Sequence, residues 1–301
     1  GINMFVLHSH QYPIALLFSE NTSRRKSVLC CIHNSTSKVS ICQFNGCRCC
    51  FRRRQFLEAS ISGFSAFAPS SPSFASTKPI DPASIFDEVR PPRPDWYEEF
   101  YASVMNTGMK PYEEEIAAYK SELFASIRGN ANKVLELGIG TGPNLKYYAG
   151  KGVDVYGLDP NKMMEKYARE AANLTGAKLQ FIRAVGESIP MPDNCVDAVV
   201  GTLVLCSVKH VEQTLQEIKR VLKPKGVYVF IEHVAAKDGT FLKFLQKVAD
   251  PLQQIVADGC HLTRETGEII ANAGFSHVSV NAAVLSNVYI ISPHVYGFGR
   301  K

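Results

Sequence analysis

No stretch of the chain runs uninterrupted through about 18 apolar residues, so no segment reads as a membrane-spanning helix. Acids are almost missing from the first 78 residues, where nine Lys or Arg face only Glu20 and Glu58. The remainder holds 24 basic against 26 acidic residues, so the formal net charge of +5 belongs to the leader. A near-neutral body offers a nucleic acid no electrostatic footprint, and no such partner is expected. Cysteine pairing is absent too. Six of nine cysteines (Cys30, Cys31, Cys42, Cys47, Cys49, Cys50) fall in the leader, and the body keeps only Cys195, Cys206 and Cys260, which form no disulfide framework. Cys47 and Cys50 make one CxxC without the second pair that a zinc ribbon or finger needs, so no metal is expected.

A further absence narrows the ligand. Val134, Leu135 and Leu137 form a short apolar run of buried-strand type, followed by a loop with Gly138, Gly140 and Gly142. The dinucleotide fingerprint would need a third glycine at position 143, where Pro143 stands. The pattern is instead Glu-x-Gly-x-Gly-x-Gly. Glu136 at the strand tip would repel a pyrophosphate but can receive the ammonium of a methionine moiety, directly or through water. A second strand-like run over 154–158 ends in Asp159, about 20 residues beyond Gly138, the distance at which an acid suits a ribose diol. Together these residues point to S-adenosylmethionine.

The leader, residues 1–78, is rich in Ser, Arg and Cys and lacks sustained periodicity, which is the composition of a transit peptide. Met4 reads as a start, with Gly1 to Asn3 an upstream remnant. Arg53-Arg-Gln-Phe-Leu57 resembles a twin-arginine signal, and Ala66-Phe-Ala68 supplies an A-x-A-type cleavage site. The expected address is the chloroplast, reached by a plain organellar peptide whose arginines only supply charge. The alternative is a two-part address whose second part is delivery towards the thylakoid or its lumen. Residues 79–95, with five prolines, read as a linker.

From residue 96 to 301 the chain reads as one domain. Helices are expected over 96–109 and 111–127 as a cap before the opening strand. Beyond the glycine loop the units alternate: a short helix from Asn144, a strand over 154–158, a helix over 161–174 stopped by Gly176, and a strand over 179–182. A doubly apolar strand then lies within 196–208, followed by an amphipathic helix over 211–222 and a strand over 227–232. Repeated β-α-β predicts an α/β fold, a doubly wound Rossmann-like sheet of seven strands with ligands at the strands' carboxyl ends. The closing antiparallel hairpin is expected from 277–284 and 287–292. Thr263 is expected to cap a helix ending near Asn272. Residues 241–256 form an apolar helical segment interrupted at Pro251. Its simplest role is packing, and a substrate lid or peripheral membrane contact is the alternative.

From the glycine loop onward the chain resembles the class I S-adenosylmethionine-dependent methyltransferases, in the group that includes the ubiquinone and menaquinone methyltransferases. Over about 180 residues it is more narrowly similar to the methyltransferase-like proteins that animals use as thiol S-methyltransferases. The shared words are Thr202-Leu-Val-Leu-Cys-Ser-Val208, Glu232-His-Val-Ala-Ala236, Asp258-Gly-Cys-His-Leu-Thr-Arg-Glu265 and Pro293-His-Val-Tyr-Gly297. The resemblance implies that Glu136, Gly138, Gly140, Gly142 and Asp159 hold the cofactor, with Val185 and Gly186 beside the adenine. Many relatives carry Asp where Val185 stands, so backbone groups are expected to read the adenine here.

A base is needed only if the nucleophile arrives protonated, and a thiol with pKa about 8.5 needs less help than a phenol. His233 is the candidate base; its competing role is a structural histidine bonded to a backbone carbonyl. Cys206 is the candidate pocket wall, with Asp258, Cys260 and His261 opposite. The expected partner is a small apolar acceptor, a thiol first. A prenylated quinone or phenol, and a cofactor-binding factor without turnover, are the alternatives.

Overall fold

The computed structural model describes residues 82–150 and 152–301. The leader, with its twin-arginine and cleavage motifs, lies outside them. Seven strands form one sheet: β1 (Lys133–Leu137), β2 (Asp154–Asp159), β3 (Lys178–Arg183), β4 (Val196–Thr202), β5 (Leu222–His233), β6 (His277–Val284) and β7 (Pro293–Arg300). Their order is β3-β2-β1-β4-β5-β7-β6, parallel through β5 and antiparallel at β7 and β6. The chain winds outward from β1 to β3 on one side and from β4 to β6 on the other. Their carboxyl ends therefore diverge between β1 and β4, and a crevice opens there.

Helices cover both faces. In chain order they are α1 (Pro82–Val89), α2 (Asp95–Gly108), α3 (Lys110–Glu115), α4 (Ala117–Ile127), α5 (Met164–Thr175), α6 (Val211–Val221), α7 (Phe241–Val256) and α8 (Thr266–Ala271). Alternation along β1 divides the core. Val134 joins Phe124, Tyr148, Val155 and Ala168 on one face, while Leu135 and Leu137 join Val199, Leu215, Ile218 and Phe230 on the other. Glu136 shares the parity of Val134 and is buried under the N-terminal cap. Each fully buried aliphatic side chain contributes about 1.5–3 kcal/mol relative to exposure, so a charged group at this position stands out against the packing around it.

Four expectations change. Residues 82–89 are helical, and the corner that follows is pinned: Pro94 leads into α2 through Tyr97 N–H to Pro94 O at 2.9 Å. Prolines here end one helix and open the next, which is a corner rather than a free linker. The single helix expected over 111–127 is broken at the buried Ile116, between α3 and α4. Thr263 caps nothing; α8 begins at Thr266 after Glu265. The hairpin's second strand is β7 rather than 287–292, where a 3₁₀ turn (Tyr289–Ile291) closes the loop through Leu285 N–H to Ser292 O at 2.9 Å. Glycine at 299 suits this inner strand, because a Cβ there would sit 2.9 Å from the Phe275 ring.

Candidate active site

The crevice at the β1/β4 divergence is a cavity of about 440 Å³. Its floor is the loop after β1. Gly138 adopts φ +62° with its α-carbon against Val204; a Cβ would lie 2.5 Å from Val204 Cγ2. Gly140 N–H donates to Asp159 Oδ2 at 2.9 Å, so the tip of β2 holds the loop open from the side. Asn161 N–H occupies Oδ1 at 2.9 Å, and the Asn161 side chain ties the turn to α2 through Glu98 O at 2.9 Å. Burial raises the Asp159 carboxyl to about 6, against the pull of the two backbone donors and Arg90.

Glu136 is 1% exposed. Oε1 accepts from Asn144 Nδ2 at 2.9 Å, whereas Oε2 lies near the Tyr148 hydroxyl without reaching good hydrogen-bond geometry. Burial pushes this carboxyl up to about 7; the Asn144 amide, Tyr148 and Lys120 oppose it. A half-satisfied buried acid at the mouth of a cavity is a receptor for a cation. Val185 and Gly186 follow β3 and line the same cavity, with Gly186 packed so closely on α6 that a Cβ would meet Thr214 Cγ2 at 2.9 Å. All seven residues expected to hold the cofactor (Glu136, Gly138, Gly140, Gly142, Asp159, Val185, Gly186) therefore line one cavity.

The far wall comes from both ends of the domain. Arg90 and Arg93, after α1, reach Asp258 in the loop after α7 at 2.9 and 3.2 Å, and Arg90 also meets Glu98 at 3.3 Å. Asp258 (φ +50°) and Gly259 (φ +88°) turn sharply to bring that carboxylate to the rim. Tyr101, Met105 and Met109 complete the wall with Leu203, Val204 and Val208.

The two catalytic candidates are not among the lining residues. His233 is 1% exposed at the end of β5, with Nε2 3.0 Å from Cys260 Sγ and Nδ1 unpartnered. It bonds neither an acceptor in the cavity nor a backbone carbonyl. Cys206 is buried, its thiol 3.4 Å from Leu203 O, and its neighbours Ser207 and Val208 form the wall instead. Of the opposite wall, Asp258 and Gly259 line the cavity while Cys260 and His261 lie behind it. The Cys260 thiol is held below its ordinary value by a bond from Cys206 and by His233, and Cys206 is correspondingly raised. The sequence pattern does not single out Asn144, Arg90 or Tyr101, which line the cavity. Asn144 adjoins the glycine loop and was readable as a partner for Glu136; Arg90 was masked by its prolines.

A model of the methyltransferase domain matches residues 135–230. The human thiol S-methyltransferase TMT1A is 41% identical over 200 residues, covering 63% of this chain and 81% of that protein. The chain belongs to the S-adenosylmethionine-dependent methyltransferases. The rat thiol S-methyltransferase TMT1B is 39% identical over 197 residues, covering 62% of this methyltransferase and 80% of its own length. Among solved structures, the complex of the Haloferax volcanii Trm112 methyltransferase activator with its putative methyltransferase gives a TM-score of 0.53 at 20% identity. It covers 69% of this chain and 99% of that one, a likeness of fold alone. The cofactor is S-adenosylmethionine, and the cavity suits it: the orphaned Glu136 oxygen would receive a cationic amino-acid end, and the glycine floor would admit close backbone approach.

Proposed function

We propose that this methyltransferase transfers its methyl group to a small apolar thiol. The observation that carries the reading is the composition of the cavity, where Tyr101, Met105, Met109, Leu203, Val204 and Val208 stand beside the polar Asn106, Lys110 and Glu113, and where neither His nor Cys lines the cavity among the described residues. S-adenosylmethionine supplies an activated methyl on a sulfonium with a neutral leaving group. The protein's part is to place and to dry. Glu136 and Asp159 fix the cofactor's charged end and its ribose, the apolar wall receives the acceptor, and the Arg90–Asp258 ion pair closes the rim against water. With no imidazole among the described lining residues, an acceptor that ionises near neutral pH is favoured over a phenol, whose pKa is about 10. The 41%-identical human thiol S-methyltransferase supports the same class.

The apolar face of α7 supports delivery from a membrane surface. Phe241, Phe244, Val248, Leu252 and Ile255 are exposed, and Trp96 and Phe100 of α2 stand exposed on the neighbouring helix, joined to α7 by Tyr97 Oη to Ile255 O at 3.1 Å. Incubating the full chain with methyl-labelled cofactor and a panel of thiols, phenols and prenylated quinols tests the acceptor. Thiol products are expected. Methylation of a quinol or phenol but no thiol would replace the reading, and tight cofactor binding without any product would return it to a non-catalytic factor.

A further inference from the structure

Cys206, His233 and Cys260 meet behind the cavity wall. Their ligand atoms all lie within 4.8 Å of one another, and all three residues are buried. They come from three separate places: the turn after β4, the last residue of β5 and the loop after α7. Each is delivered by one of the sequence words that lie outside the glycine loop, Thr202–Val208, Glu232–Ala236 and Asp258–Glu265. The mechanism above uses none of them.

We propose that this trio is a buried binding site for a soft divalent cation of the zinc class. Two sulfurs and an imidazole nitrogen form a donor set that suits zinc, and the trio offers no oxygen donor for magnesium or calcium. The spacing fits as well, since ligands about 2.0–2.3 Å from one ion must stand within about 4–5 Å of each other. The backbone around the trio is fixed independently of any ion. His261 N–H donates to Cys206 O at 2.9 Å, which joins the two cysteine segments directly. Arg264 Nη1 donates to Leu205 O and Val208 O, both at 2.6 Å, and so clamps the turn that carries Cys206. A donor set held from outside in this way is pre-organised for its ion. Within the trio itself a nitrogen stands unmet: His233 Nδ1 is buried with no hydrogen-bond partner. Three protein ligands leave a fourth position on a tetrahedral ion for a water or another donor. Each thiol that ligates gives its proton to solvent, so occupancy weakens as pH falls.

The test uses the full chain with Cys30, Cys31, Cys42, Cys47, Cys49 and Cys50 changed to Ser, so that leader thiols cannot hold the ion. After exposure to zinc and desalting, elemental analysis is expected to give about one zinc per chain. Cobalt loading should add a thiolate-to-cobalt charge-transfer band. Both signals should vanish in Cys206→Ser and Cys260→Ser and persist in Cys195→Ser, with circular dichroism showing which variants fold. X-ray absorption of the zinc-loaded protein carrying only the leader changes requires no altered ligand, and should show two sulfur neighbours with nitrogen. A zinc-free folded protein whose Cys206 and Cys260 react as free thiols would overturn the proposal. So would zinc retained undiminished in folded Cys206→Ser and Cys260→Ser variants, an oxygen-only shell, or a Cys206–Cys260 disulfide in the protein isolated without reductant.

Discussion

Glu136 allows the sharpest test, because the groups that would bind the cofactor also disfavour the ligand-free protein. Its carboxyl, fully buried with one oxygen unpartnered, sits at about 7 before a cation arrives. A bound ammonium stabilises the carboxylate, so binding below pH 7 must expel a proton. The apparent dissociation constant then rises by 1 + 10^(7 − pH): about 2-fold at pH 7 and about 11-fold, or ~1.4 kcal/mol, at pH 6. Asp159, at about 6, adds roughly another factor of two at pH 6 if its ribose contact also needs the carboxylate. Titration calorimetry between pH 6 and 8.5, in two buffers of different ionisation enthalpy, measures both affinity and proton release. Release should approach one proton near pH 6 and fade by pH 8.5. Glu136→Gln should bind about 10- to 100-fold more weakly at pH 8, the loss of a charged hydrogen bond, and should lose the pH dependence above 6.5. The stability consequence has the opposite sense. The native carboxyl is raised from 4.5 to about 7, so the fold gains a proton in that window and stability falls as pH rises through it. At pH 8 the ligand-free Glu136→Gln protein should therefore melt higher than wild type, by up to about 3 kcal/mol of stability. A cofactor affinity that stays flat from pH 8 to 6, together with a variant that binds as tightly as wild type, would refute the reasoning.

Other consequences can be checked alongside. Asp258→Ala removes the shared partner of Arg90 and Arg93 and leaves two largely buried guanidinium groups less compensated. Cofactor affinity should drop by about 1–3 kcal/mol, with little change in the spectrum of the folded sheet. Because His233 does not line the cavity, His233→Ala should reduce the yield of folded enzyme while the shape of the pH–rate profile stays the same; a shifted limb would place it back in the chemistry. Phe244→Asp with Ile255→Asp should abolish sedimentation with phospholipid vesicles and leave turnover on a water-soluble thiol intact, and undiminished sedimentation would remove α7 from that role. For residues 1–78 we propose a chloroplast address with a twin-arginine second part, under which Arg53→Lys with Arg54→Lys should block thylakoid delivery in an import assay but not chloroplast entry; unchanged delivery leaves only a plain organellar address, and no import removes both.

What the sequence made legible was local. β1, its glycine loop and the acid ending β2 are contiguous, and their period and spacing carried both the parallel architecture and the cofactor. Less visible was structure whose reason lies across the chain. β7 looks like a turn-rich tail because its glycines are explained by Ser279 and Phe275 on neighbouring segments. Arg90 and Arg93 sit among prolines, and only the folded loop after α7 shows what they hold. His233 ends β5 at the sheet's carboxyl edge, but which side of the wall it faces depends on Cys260, 27 residues further on. Cys206 was read as wall when its neighbours Ser207 and Val208 are the wall, a one-residue difference that a turn can create and a period cannot show.

The corner after α1 has a consequence for how this enzyme tolerates a cut in its chain. Arg90 and Arg93 precede the first helix that the proline count would assign to the domain, yet they bolt the loop at Asp258 over the cofactor cavity. A cut between Arg93 and Asp95 would spare every strand and every glycine of the floor, and would still unfasten the rim. The protein would remain folded, recognisable to any probe of its sheet, and leaky. Cleavage on one side or the other of this corner would therefore act on the catalyst itself, leaving the cavity latched or ajar.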